Sequence, residues 1–373
     1  KDGLHNFEGK KALEAAVRAL KAGKILAIKG LGGYHLACLA QDRSAVNALR
    51  ERKRRKAKPF AIMVPDLAWA EKLAVLNPIL RSLLLSPQRP IVLVPRSPNS
   101  PPLPDELAPG LSRLGIFLPY TPLHAILLRM VARPLVMTSG NLSEEPICYQ
   151  NEEAEILLAE VADAFLHHNR PIVRRCEDSV CSVVAGRPLT LRRARGYAPA
   201  PLPLSKSKEF LGRATDLVIL SVGGHLKNTF CVLKESNAFL SPHIGDLHHP
   251  SAYKQFKKDI KDFLKLLAVE PQAVAYDLHP DYASTTWVEE NFSGNIPQVP
   301  IQHHHAHIVS CLAENSFEGP VIGVAFDGLG MGVGGELWGG EFLVARTWEF
   351  SRLGSIEPLL LVGGEKAIRQ SWR

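Results

Sequence analysis

An α/β (α+β) fold in two domains is predicted by three observations. Helical and strand patterns alternate through the first half, the 373-residue chain exceeds what one hydrophobic core usually holds, and the apolar periodicity breaks at a proline- and serine-rich stretch. Taken in order, LEAAVRALKAG carries apolar residues at helical spacing and ends on Gly23, and KILAIKG is a short apolar strand. SAVNALRERKRRK is helical again, and PFAIMV, RPIVLV and PLVMT are strands. The break is GYAPAPLPLSKSKEF, which divides the chain into a domain over 1–196, a linker over 197–210 and a second domain over 211–373. Beyond it, DLVILSVGGHLKNTFCVLK reads as two strands joined by a glycine-containing turn, and AVAYDLHPDYAST and VIGVAFDGLG each read as a strand running into a functional loop.

Composition narrows the class. With 46% hydrophobic and 22% charged residues the chain reads as globular rather than disordered. No apolar run reaches the roughly 18 residues of a membrane span. The N-terminus KDGLHNFEGKK has no signal-peptide core, so a cytoplasmic protein with no membrane partner is expected. Cys38, Cys148, Cys176, Cys181, Cys231 and Cys311 form no CxxC pair, which predicts reduced thiols rather than a zinc knuckle or a disulfide framework. The formal charge of +7 suits an anionic partner: a nucleotide, an acyl or carbamoyl phosphate, or nucleic acid. The chain starts without Met and stops at GGEKAIRQSWR without a cap, as a piece of a longer protein would.

Four segments of the first domain carry donors suited to a nucleotide. RKRRKAKPF offers Lys53, Arg55 and Lys58, although a basic run also reads as a solvated helix face. TSGNLSEEP follows a strand and gathers Thr138, Ser139, Asn141 and Ser143 around Gly140, either a phosphate cradle or a simple turn. RRCEDSVCSVV adds Ser179, and LRRARGYAP adds Arg192, Arg193 and Arg195.

In the second domain, VPIQHHHAHIVSCLAEN places His303 and His307 four apart, on one helix face, while His304 and His305 point elsewhere. With Asp327 of VAFDGLG, at a strand end, they make a plausible site for a divalent metal, zinc and iron being equally suited. SVGGHLKNTF, with Gly223, Gly224, Lys227, Asn228 and Thr229, and the loop DGLGMGVGGELWGGEF, with Gly328 and Gly330, suggest a phosphate site beside the metal, although the glycines of a structural hairpin give the same pattern.

The KxR of Lys53 and Arg55, the SxN of Ser139 and Asn141, EDSV and the closing Arg-Gly together resemble the YrdC-like, twisted-sheet fold of threonylcarbamoyl-AMP synthases. The HxxxH domain resembles the threonylcarbamoyl-transferase branch of the actin and sugar-kinase (ASKHA) fold, here in part. The fused order, with LPYTPLHAILL, GGHLKNTF, HIGDL, DLHPDYAST and QHHHAH, closely resembles the HypF family, carbamoyltransferases of NiFe-hydrogenase maturation. That resemblance implies ATP with Mg2+ and carbamate, derived from carbamoyl phosphate, as substrates, with Lys53, Arg55, Ser139 and Asn141 in the catalytic role. It implies a carbamoyl-adenylate intermediate, and transfer to the C-terminal cysteine of a HypE-like acceptor, whose carbamoyl group becomes a cyanide ligand. It also implies a further metal ligand, usually an aspartate, beyond this chain. KGLGGYHLACLA departs from the synthases, because its glycines leave nothing to hold a threonine side chain. Three competing functions share part of the pattern. An antibiotic O-carbamoyltransferase has both domain types, but in reverse order. A threonylcarbamoyl-AMP synthase acting in tRNA modification would suit the basic charge, and a non-enzymatic module would use the nucleotide donors for binding alone.

Overall fold

The computed structural model describes residues 6–142, 145–204, 217–317, 319–358, 362 and 370. The chain divides into two compact units, one of residues 1–200 with 241–255 and one of 201–240 with 256–373. Among the described residues the first unit holds strands β1 (Leu26–Lys29), β2 (Tyr34–Leu39), β3 (Ala61–Met63), β4 (Ile91–Pro95), β5 (Arg113–Phe117), β6 (Leu135–Ser139), β7 (Ala164–Leu166), β8 (Val180–Val184) and β9 (Arg187–Arg192). They form one mixed sheet in the order β7-β1-β2-β6-β3-β5-β4-β8-β9.

Both faces of this sheet are covered, which is why β1 and β2 are continuously apolar or buried rather than alternating. On one face α1 (Gly9–Lys21) and α5 (Pro122–Val131) pack Val17, Leu20, Leu127 and Leu128 against Leu26, Ile28, Phe117 and Met137. On the other, α2 (Arg43–Arg52), α3 (Leu67–Leu73) and α4 (Pro78–Leu85) meet Tyr34, Leu36, Ile62 and Val92. Asp42, Asp66, Asn77 and Thr121 cap α2 to α5, each side chain accepting a backbone N–H of the first turn. The basic run is not a helix face as its pattern suggested. Helix α2 ends at Arg52, Lys53 is its C-cap and Arg54 turns left-handed (φ 54°), so the cations emerge on an irregular loop ahead of β3.

The linker also differs from its expected extent. Leu202–Pro203 (β10) already pairs with the second unit's sheet, and 205–210 lie outside the described residues. The second unit contains β11 (Ile219–Ser221), β12 (Cys231–Lys234), β13 (Asn237–Leu240), β14 (Ala273–Asp277) and β15 (Gln298–Ile301), in the sheet order β10-β13-β12-β11-β14-β15. An antiparallel sheet of β16 (Val321–Met331), β17 (Leu337–Ala345) and β18 (Phe350–Ser355) follows. After the short helix α6 (Asn151–Leu157) of the first unit come α7 (Pro250–Leu267), α8 (Ala283–Phe292) and α9 (His303–Asn315). Helix α9 packs Ile308 and Leu312 on Trp338, Leu343 and Ala345. All six cysteines are free, and no described helix is long and apolar enough to cross a membrane.

Candidate functional site

Lys53 is 1% exposed, yet it carries an ammonium group. Its Nζ donates to Ser139 O (2.7 Å), Asn141 O (2.5 Å) and Asn141 Oδ1 (2.5 Å), so one cation holds the whole Ser139–Asn141 turn at the end of β6. Ser139 Oγ donates to the same Asn141 Oδ1 (2.7 Å), and Asn141 Nδ2 reaches Glu145 O. Burial pushes the Lys53 pKa down to about 7, and the neighbouring Arg55 adds to this. Arg55 is lowered to about 10, by burial and then by Arg50 and Arg192. Lys58 is lowered by desolvation and then by Arg55 and Arg192. Like charges held this close raise each other's energy, and an anion among them removes the conflict. Glu177 offsets part of the charge through Arg192 (2.8 Å).

The segment 241–255 belongs to this same unit. Arg175 Nη2 meets Ile244 O at 3.4 Å, and burial depresses the His243 imidazole within the fields of Glu177, Arg192, Asp246 and Lys58. The HIGDL motif has no role that its residues alone reveal; its distance along the chain from the basic segments hides the juxtaposition.

Several expected ligand donors also bond groups of the fold. Thr138 is buried inside β6 opposite Leu36, on the other face from Ser139. Ser179 is fully buried, donating to Arg195 O (2.9 Å) and accepting from Ala194 N (2.8 Å). Arg195 bonds Asp178 (2.8 Å), Gln88 O (3.0 Å) and Arg89 O (2.9 Å) and lies 3.4 Å over the Tyr120 ring. Arg193 donates to Tyr197 O and Ala200 O. Ser143 lies outside the described residues.

Behind β6 sits a buried polar cluster drawn from three separate stretches, KGLGGYHLACLA, LPYTPLHAILL and EDSV. His35 Nε2 meets Asp178 Oδ2 at 3.0 Å and Tyr120 Oη at 3.3 Å, and its ring lies edge-on to His124 at 5.7 Å. Burial opposes ionisation of Asp178, but His35 and Arg195 outweigh it and hold the carboxyl well below its usual range. Burial pushes His124 down to about 3, so the unfolded chain binds a proton there well before the folded chain does. Stability from this group is therefore lost as pH falls from the unfolded value of about 6.5 towards 3, by up to about tenfold in the unfolding constant per pH unit. His124→Phe is expected to flatten that acid slope in denaturant titrations between about pH 6 and 4; an identical slope would deny His124 this role.

In the second unit, α9 presents His303 and His307 one turn apart. His303 Nε2 is 2.7 Å and His307 Nε2 3.2 Å from the same oxygen, Asp327 Oδ2, and the two nitrogens are 3.2 Å apart. Asp327 is not at a strand end: β16 continues to Met331, and a register shift between Phe326 and Gly330 bulges the strand and re-aims the carboxylate. Two imidazole nitrogens and one carboxylate oxygen, all within 4.8 Å, fit a zinc or iron ion in donor type. Asp277, at the end of β14, takes the other ring nitrogen of His303 at 2.6 Å. The hydrogen bonds to Asp277 and Asp327 raise the His303 pKa to about 9, and those from both histidines hold Asp327 well below its usual range. Asp277 thus fixes which nitrogen of His303 faces Asp327, the role of an outer carboxylate at a metal-bound histidine. Asp277→Asn is expected to weaken metal affinity roughly 10- to 100-fold in competition with a chromophoric chelator; unchanged affinity would remove this orienting role.

The other histidines of the cluster are structural. His304 Nε2 meets Gly339 O (2.7 Å) and His305 Nε2 meets Arg346 O (2.7 Å). The GGHLKNT turn lies beside the ligands, a Cβ on Gly224 falling 3.7 Å from His303 Cε1. Asn228, 1% exposed, pins this turn by donating to Val222 O and Gly224 O. Gly223 has φ 71°, and a Cβ there would collide with Thr229 O. Lys227 is exposed. The Gly328 N–H donates to Asp327 Oδ1 (2.6 Å), and Gly330 packs on His303 and His304.

Three family models match successive stretches of the chain. The Sua5–YciO–YrdC family model, described as telomere recombination, matches residues 18–194. The HypF Kae1-like domain matches 214–314, and the second subdomain of the carbamoyltransferase Kae1-like domain matches 323–373. The carbamoyltransferase HypF of Synechocystis sp. is 43% identical over 98% of this chain and 46% of its own length. The chain belongs to the HypF family. HypF of Rhodobacter capsulatus is 44% identical over 97% of this chain and 48% of its own length. The crystal structure of full-length HypF in a phosphate- and nucleotide-bound form superposes with a TM-score of 0.89 at 45% identity, covering 96% of this chain and 55% of that one. The chain therefore spans about half the length of the HypF relatives it matches.

Proposed function

We propose that this HypF-family chain carries out two steps of ATP-dependent carbamoyl transfer. In the first unit a carbamate oxygen attacks the α-phosphorus of ATP, the bond from that phosphorus to the bridging oxygen breaks, and Mg2+-bound pyrophosphate leaves. Arg55, Lys58 and Arg192 draw the polyphosphate in, while Lys53 holds the Ser139–Asn141 turn in shape for it. In the second unit the thiolate of a HypE-like acceptor's C-terminal cysteine attacks the carbamoyl carbon, and the bond to the phosphate oxygen breaks to release AMP. A divalent metal held by His303, His307 and Asp327 would neutralise the leaving phosphate and polarise the carbonyl. The product thiocarbamate is the precursor of a cyanide ligand in NiFe-hydrogenase maturation.

The observation that carries this reading is the conjunction, in one chain, of the mutually destabilised cations around the Ser139–Asn141 turn and the His303, His307 and Asp327 donor set. The loop between β1 and β2 favours carbamate over threonylcarbamate. A Cβ on Gly32 would collide with Cys176 O, and one on Gly33 would lie 2.6 Å from Ile147 Cδ1, so neither position can carry a side chain to hold threonine. Mass spectrometry of products from ATP and ammonium carbamate is the test. Carbamoyl-AMP and pyrophosphate are expected, and ATP consumption strictly dependent on threonine would overturn the reading.

A further inference from the structure

Helices α7 and α8 enclose a groove of about 530 Å3, lined by Lys257, Lys258, Lys261, Trp287, Glu290 and Asn291, all in the second unit. Aromatic packing fixes its floor. Phe256 and Phe292 meet the Trp287 ring edge-on at 5.4 and 5.5 Å, and Phe263 meets Phe230 in the same way at 5.3 Å, so α7 turns its apolar side inward and leaves its lysines exposed. Trp287 is only 4% exposed, it lines the groove, and its indole N–H has no acceptor among the described residues. A buried indole N–H ordinarily finds a partner, so this donor points to an occupant that brings an oxygen. The lysines point the same way. Lys257 and Lys261 stand four apart and Lys258 and Lys261 three apart, spacings at which like charges on a helix oppose each other, and Lys261 has no carboxylate partner among the described residues.

The lining selects among anions. Glu290 repels a bare phosphate or a nucleic-acid backbone, and with the Trp287 ring buried no aromatic face is left for a base to stack on. An acidic peptide suits every group: its carboxylates meet the lysines, a main-chain carbonyl takes the indole N–H, and a main-chain N–H donates to Glu290. The place of the groove says which protein brings that peptide. Helix α8 starts beside Asp277, the partner of His303, with Thr285 Oγ1 donating to Asp277 O at 3.0 Å. Trp287 to Asn291 follow Thr285 by only about 3 to 9 Å along the helix axis. A protein whose C-terminal cysteine enters the metal site has to rest its body on the surface beside it. We propose that the groove between α7 and α8 docks an acidic segment of the acceptor protein's body, and so holds the acceptor while its cysteine is carbamoylated.

This inference rests on the transfer reading above, and two readouts keep them apart. Affinity of the full chain for a labelled HypE-like acceptor is measured by fluorescence anisotropy, and carbamoylation of the acceptor by mass spectrometry with ATP and ammonium carbamate. Lys257→Glu with Lys261→Glu is expected to raise the Kd and the KM for acceptor at least about tenfold, with kcat, the KM for ATP and metal content within about twofold. Lys254→Glu with Lys265→Glu makes the same change of net charge on the same helix outside the groove, and should cost no more than about threefold. In the unaltered pair, carbodiimide cross-links are expected from acceptor carboxylates to Lys257, Lys258 or Lys261, a result that needs no variant to fold. Equal losses in the two double variants would overturn the docking, as would cross-links only elsewhere or no acceptor binding to the unaltered chain. Capture of a labelled single-stranded RNA that these lysines control, with acceptor binding unmoved, would make the groove a nucleic-acid surface instead. Carbamoylation with an unaltered KM in Lys257→Glu with Lys261→Glu removes the docking and leaves the transfer reading. Binding that depends on these lysines without any carbamoylation removes the transfer reading and leaves the docking.

Discussion

His307→Ala is expected to strip the metal from the second unit, as read by elemental analysis of the purified chain, and to stop carbamoyl transfer while adenylate synthesis continues. The imidazole removed supplies one of the three ligand atoms that lie within 4.8 Å of one another. Its side chain is 57% exposed on the surface of α9, so truncation opens no core cavity and the loss is one of ligation rather than folding. His304→Ala is the contrasting variant. His304 is fully buried and bonded to Gly339 O, so its loss should lower stability in denaturant titration and leave metal content near that of the unaltered chain. If His307→Ala keeps stoichiometric metal and His304→Ala loses it, the i,i+4 pairing of the ligands is wrong. Persistence of adenylate synthesis in His307→Ala is part of the expectation, since the Ser139–Asn141 turn and its cations belong to the other unit.

How much of this was legible in the sequence depends on the range of the interaction concerned. Periodicity placed β1, β3, β4 and β6 correctly because each pattern is local, and the spacing of His303 and His307 needed only helix geometry. Residue type alone could not say where a side chain spends its donors. Ser179, Arg193, Arg195 and Asn228, read as ligand donors, also bond carbonyls or carboxylates of the fold, some from segments far away in sequence. Asp277 and His124 lie in the quoted stretches DLHPDYAST and LPYTPLHAILL without a role assigned to them, since only tertiary packing sets Asp277 against His303 and closes His124 off from water. The bulge that aims Asp327 is invisible for the same reason, since it is a register relation between β16 and β17.

Lys53→Ala is expected to abolish measurable ATP–pyrophosphate exchange, and also to destabilise the first unit. A disrupted donor array at a reacting phosphate typically costs about 2 to 4 kcal/mol of transition-state stabilisation, roughly 30- to 1000-fold in rate. The structure adds a second cost, because Lys53 is 1% exposed and its removal leaves Ser139 O, Asn141 O and Asn141 Oδ1 without their shared cation. Ser139 O still accepts from Asn141 N and Asn141 Oδ1 from Ser139 Oγ, so the acceptor left without its donor is Asn141 O, at about 1 to 3 kcal/mol where water cannot reach it. Exchange and stability therefore have to be read together. Asn141→Ala separates them: it leaves Lys53 two backbone acceptors and removes the side chain that links Lys53, Ser139 and Glu145. A milder loss of stability with a similar loss of exchange is expected from it. Lys58→Ala, at an exposed position among Arg55 and Arg192, should instead weaken ATP binding with little change in stability. Unchanged exchange in folded Lys53→Ala and Asn141→Ala would show that this turn is a structural brace and that the anion binds elsewhere.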